Sequence, residues 1–185
     1  MAQLVDQVWQ VVGTMANKWS FIALLAIVLM FWFGYFERQK RRFAPLRTFD
    51  GRAEGFRPTQ DEVAGILREF ETAGHLQTYL TQARGIDMIF PVFYSLLGAI
   101  AIYLAATHLT GLRWLVLLPF AMAIFDWLEN LCVITVIGRF RSDPTKLGSW
   151  PMLLFIAQRL KFLLMGAVLV AVVVLSIGWA RRKFA

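Results

Sequence analysis

Phe125-Asp126-Trp127-Leu128-Glu129-Asn130 sits in the middle of an otherwise apolar run from Leu112 to Ile137. Asp126, Glu129 and Asn130 fall at i, i+3 and i+4, so a helix brings all three to one face. A run this long and this apolar reads as a membrane span, and charged side chains at its centre are costly enough to require partners or a water-filled cavity. The stretch predicts an all-α, polytopic membrane protein, and the rest of the chain supplies the other spans.

Composition agrees. With 58% hydrophobic residues, seven Trp and sixteen Phe in 185 residues, the chain carries more apolar surface than a soluble domain of this size buries. The net charge of +7 does not point to nucleic acid, because the basic residues cluster beside apolar segments, where positive-inside topology accounts for them. The single cysteine, Cys132, lies inside the same run and reads as a small buried apolar residue; it supports neither a disulfide framework nor a metal-ligand set.

Working outward, residues 1–18 carry Leu4, Val5, Val8, Trp9, Val11 and Val12 on a helical stripe, which predicts an interfacial amphipathic helix. Residues 19–37 form a first span that ends in the aromatic belt Phe31-Trp32-Phe33 and Tyr35-Phe36. No basic segment precedes it and no small-residue cleavage site follows, so it reads as a retained anchor. Residues 38–84 form a basic segment. Arg38, Lys40, Arg41, Arg42 and Arg47 open it, a loop runs from Thr48 to Pro58, and Thr59-Gln60-Asp61-Glu62 matches a helix capping box. Val63, Ile66, Leu67 and Phe70 then share one face of an amphipathic cytoplasmic helix, which loosens at Ala73-Gly74 and resumes through Leu76, Tyr79 and Leu80. That face can lie on lipid or under the bundle. His75 reads as a surface residue.

Three further spans are expected at about 86–107, 112–137 and 150–179, followed by a basic tail at 180–185. In the second, Asp87 stands at the mouth, Pro91 in the early turns, and Ser95 with Ala99 and Ala101 with Ala105 form the small-residue steps that let helices approach closely. Ser149 and Pro151 open the fourth. Lys and Arg number twelve in the segments 38–84 and 138–148, against five at Lys18, Arg113, Arg181, Arg182 and Lys183. Both termini are therefore expected on the outer side, with the basic C-terminus running against the pattern.

The third and fourth spans are antiparallel neighbours, which sets Glu129 level with Arg159, Asn130 with Gln158 and Asp126 with Lys161. The group lies about 12–18 Å from the inner loop at the rise of an α-helix. Arg159 and Lys161 are about 200° apart around their helix, so they do not both face the third span squarely. The same reckoning across the outer turn sets Tyr94 level with Asp126. Three readings stay open: a network that staples the bundle, a site for a lipid head group or ion, and a proton or ion pathway. In the second, Asp126 and Glu129 act as acid and base or metal ligands while Arg159 and Lys161 hold the head group. No Ser/His/Asp set and no intramembrane His pair is present. His108, at the outer end of the second span, is the one weak candidate for ligating a haem or chlorophyll metal, so no cofactor is expected.

Asp87-Met-Ile-Phe90-Pro91 on one span followed by Asp126-Trp-Leu-Glu129-Asn130 on the next resembles a pattern found in small, uncharacterised bacterial integral membrane proteins of four spans. The resemblance implies residence in the bacterial inner membrane and carries no activity. The expected function is that of a non-enzymatic accessory or assembly subunit, with membrane lipids and another membrane protein or a second copy as partners. A lipid-modifying enzyme is the alternative, and an ion pathway the third.

Overall fold

The computed structural model describes residues 1–44, 46, 59–107 and 109–184. The loop expected at Thr48 to Pro58 and the candidate ligand His108 lie outside the described residues. Among those described, all regular secondary structure is helical: α1 (Ala2–Met15), α2 (Lys18–Leu29), a π-helical stretch (Met30–Phe36), α3 (Glu37–Phe43), α4 (Gln60–Thr72), α5 (Leu76–Arg84), α6 (Ile86–Ala106), a 3-10 segment (Thr110–Val116), α7 (Leu117–Ser142) and α8 (Trp150–Phe184). Among the described residues, four helical segments are long and apolar enough to cross a membrane: Lys18–Phe43, Leu76–Ala106, Thr110–Ser142 and Trp150–Arg181, with mean hydropathy of 2.1, 2.0, 1.7 and 2.7 over an 18-residue window of each.

The helix boundaries have local causes. Asn17 starts α2 by accepting from the backbone N–H of Trp19 (3.0 Å) and Ser20 (2.9 Å) through its side-chain oxygen. Thr59 starts α4 as its capping box predicts, accepting from the Glu62 N–H at 3.3 Å. Gly74, at φ +70°, ends α4: the His75 N–H donates to the Phe70 carbonyl (2.8 Å) and the Gly74 N–H to that of Glu71 (2.9 Å). That pair of bonds is the Schellman closure.

Four helix ends differ from the expected bounds of the spans. The helical segment that begins at Lys18 does not stop at residue 37 but runs to Phe43, through a π-helical stretch that sequence periodicity does not reveal. Its bonds join residues five apart, which brings Phe31 and Phe36 over one another. Both stack on Phe90, at centroid distances of 5.7 and 4.8 Å. In the third helical segment the α-helix begins at Leu117 rather than 112, which places Pro119 in its first turn, where a missing N–H costs least; a 3-10 segment, Thr110–Val116, precedes it. α7 also continues to Ser142, taking in Gly138 to Arg141, and α8 absorbs most of the tail.

The chain divides into two compact units. The first comprises Met1–Leu29, Pro91–Ile124 and Leu160–Ala185. Its core gathers Trp9 and Val12 of α1 with Ala99, Ile100, Ile102 and Ala106 of α6, Val116, and Leu175 of α8. Thus α1 is pinned by protein contacts through Trp9 and Val12. Trp9 stacks on Tyr103 at 4.5 Å, Asp6 pairs with Arg113 at 3.7 Å, and the Arg113 guanidinium lies 5.6 Å from the Trp9 ring centre. Gly13 allows the closest approach, since a Cβ there would stand 2.8 Å from the Tyr103 hydroxyl. Gly98 of α6 plays the same part against α7 and α8: its missing Cβ would fall 3.1 Å from Pro119 Cγ and 3.6 Å from Val168.

The second unit comprises Met30–Phe90 and Phe125–Arg159. Of the two places open to the apolar face of α4, the structure takes the protein one. Val63, Ile66, Leu67 and Phe70 are fully buried, in a core with Phe43, Leu76, Leu80 and Ala83 and with Cys132, Val133, Val136, Ile137 and Phe140 of α7. Relative to exposure to water, burial of each such side chain stabilises by about 1.5–3 kcal/mol, which is ample reason for two short helices to fold onto the core. His75 is half-buried rather than on the surface, its ring edge-on to Phe43 at 5.7 Å. Its Nδ1 is buried and makes no hydrogen bond among the described residues.

Candidate functional site: carbonyls of a proline-bearing helix

Pro91 lies in the second turn of α6, and proline has no N–H. In an unbroken helix the residue at 91 would donate to the carbonyl of Asp87, four positions back. That carbonyl therefore needs another donor, and in an apolar setting leaving it without one is costly. α7 supplies it. The side-chain amide Nδ2 of Asn130 donates to the Asp87 carbonyl at 2.8 Å, and the indole Nε1 of Trp127 donates to the adjacent Met88 carbonyl, also at 2.8 Å. Trp127 and Asn130 are three residues apart on one helix face, matching two consecutive carbonyls of the neighbouring helix. Asn130 is 7% exposed, so its bond is shielded from competing water.

The second unit holds most of the other predicted site residues. Glu129 is buried beside Asn130, Gln158 is buried on α8, and Asp126 and Arg159 are half-buried. Arg159 lays its guanidinium over Phe155 of its own helix, 5.0 Å from the ring centre. Asp87 takes a second contact, its carboxylate oxygen standing 3.5 Å from the Gln82 amide nitrogen, so both its main chain and its side chain are engaged. Tyr94 and Lys161 belong to the first unit. Lys161 lies 5.3 Å from the centre of the Phe162 ring.

Asn130 was singled out by its spacing in the sequence, whereas the role of Trp127 was not anticipated. Pro91 is the sequence signal for Asn130, since a proline inside an apolar helix announces a carbonyl in need of a donor; it frees the Asp87 carbonyl and not that of Met88, so no residue signature marks Trp127. Chemically, the pair fixes the α6–α7 contact through main-chain atoms, and no reacting group takes part in it. Among the described residues, no three His, Cys, Asp or Glu side chains gather in a way that could hold a metal ion.

No family model, no curated protein and no solved structure matches the chain.

Proposed function

We propose that the chain is a non-enzymatic integral membrane protein, an accessory or assembly subunit whose polar motif holds its own helices together and whose outward apolar helices meet lipid and a neighbouring membrane protein. The observation that carries this reading is the use made of the motif. The donors of Trp127 and Asn130 go to main-chain carbonyls of α6, a bundle-holding task. Further support comes from the helices that face outward. α2 and the π-helical stretch bury no residue, and α8 leaves Leu163, Val170 and Val174 more than half exposed. Gly166 of α8 has open space where a Cβ would be, so a neighbouring helix can come close there. In this reading the chain spans the bacterial inner membrane four times with both termini outside and α4 and α5 in the cytoplasm.

The test is native mass spectrometry, with proteomics, on tagged protein gently extracted from its own membranes. A stoichiometric protein partner, or a defined homo-oligomer, is the expected result. A monomer that carries one defined lipid and turns it over, with turnover lost in Asp126→Asn or Glu129→Gln variants of unchanged thermal stability, would replace this reading by the lipid-modifying one.

A further inference from the structure

Away from the α6–α7 contact, the structure contains an open cleft of about 650 Å³ lined by Thr135, Gly138, Arg139, Ser142, Asp143 and Lys146. The first four recur at i, i+3, i+4 and i+7 along α7, so they share one helix face. The residues between them, Val136, Ile137 and Phe140, are buried in the core of the second unit, so the cleft opens away from that core. Its floor is empty for a simple reason: a Cβ built on Gly138 would meet nothing within 4 Å.

The charged rim is arranged unequally. The Asp143 carboxylate is already satisfied within its own loop, accepting from the Thr145 N–H at 3.0 Å and hydroxyl at 2.6 Å and pairing with Lys146 Nζ at 2.8 Å. The bonds from Lys146 and Thr145 hold the carboxyl well below its usual range, and the same pairing with Asp143 raises Lys146, so both stay charged at neutral pH. Two cations and one carboxylate leave the rim with a net positive charge. The ammonium of Lys146 has N–H bonds to give beyond the one taken by Asp143. Arg139 is held across the cleft, its guanidinium 5.7 Å from the Trp150 ring centre and its Nη1 3.5 Å from the Lys146 carbonyl. A planar guanidinium and an ammonium beside an empty floor are suited to the oxygens of a phosphate group. Arg and Trp at the end of a candidate span are also where such groups occur in a bilayer.

We propose that this cleft binds a phosphate monoanion or diester, with Arg139 and Lys146 taking the phosphate oxygens and the space over Gly138 receiving the attached group, and that its source is the head group of an anionic glycerophospholipid. The lipid source rests on the reading that α7 crosses a membrane. Full-length protein is reconstituted in nanodiscs of phosphatidylcholine with a minor fraction of phosphatidylglycerol, released into detergent, and scored by native mass spectrometry for retained lipid. The wild type is expected to keep phosphatidylglycerol over phosphatidylcholine. Gly138→Trp, which fills the floor, and the double variant Arg139→Gln/Lys146→Gln, which removes the charge, should each lose that preference by about tenfold with thermal stability unchanged. Undiminished preference in both variants overturns the proposal. Wild-type protein that binds inorganic phosphate yet retains no phosphatidylglycerol over phosphatidylcholine overturns the lipid source and assigns the cleft to a soluble anion. Failure of the membrane reading is seen separately, as wild-type protein that does not enter nanodiscs made of phosphatidylcholine alone.

Discussion

The partner of the buried Asn130 amide is a carbonyl freed by a proline on the neighbouring helix. Asn130→Leu keeps the volume and leaves the Asp87 carbonyl without its donor, at a cost of about 1–3 kcal/mol, read as a lowered melting temperature in detergent. The decisive comparison is with Pro91→Ala, which gives residue 91 an N–H for the same carbonyl. In that background Asn130→Leu should cost markedly less, a coupling on the order of 1 kcal/mol in a double-mutant cycle. Strict additivity would show that the proline and the amide do not serve one atom. Trp127→Phe, which keeps the ring and loses only the Nε1 donor, is expected to cost about 0.5–1.5 kcal/mol. The spacing of Asp126, Glu129 and Asn130 was legible in the sequence as a shared helix face. The main-chain partner was not, because residue counts along antiparallel helices give depth and say nothing of which backbone atoms lie across the contact.

At the scale of single elements, local chemistry decides where helices begin and end, and this is where sequence reading succeeds and fails for identifiable reasons. Thr59 and Gly74 were legible because a cap and a left-handed stop each have a residue signature. Thr59→Ala should lower stability by about 0.5–2 kcal/mol. Gly74→Ala, at a φ that L side chains rarely adopt, should cost about 1 kcal/mol, with protease cutting near residue 74 as a sensitive readout. The π-helical stretch was hidden because the ring it packs on, Phe90, lies elsewhere in the chain. Gly98 was hidden for the same reason: it looks like an ordinary small residue until Pro119 is found 3.1 Å from its missing Cβ. Gly98→Leu is therefore expected to force α6 away from α7 and lower the melting temperature, whereas Gly166→Leu, with open space around it, should leave the melting temperature unchanged.

For the whole molecule, four long apolar helices were legible from hydropathy alone, since length and composition are all that a span requires. The division of the chain into two units was not, because each unit is built from segments far apart in sequence. If the outward face of α8 receives a neighbouring helix, Gly166→Leu combined with Ala167→Leu should abolish co-purification of the partner while the bundle stays folded. Intact co-purification would move the contact to another face. The core of the second unit also bears on how the chain is made. α4 carries an apolar face that ends up buried against α7, yet Phe70 leaves the ribosome seventy residues before Phe140 does. At translation rates of about 5–20 residues per second, that face waits roughly 4–14 s for its cover. During that interval α4 has Phe43 and α5 to pack on but not yet α7, and it is then that a chaperone or another surface would have to shield the part of the face that α7 later covers.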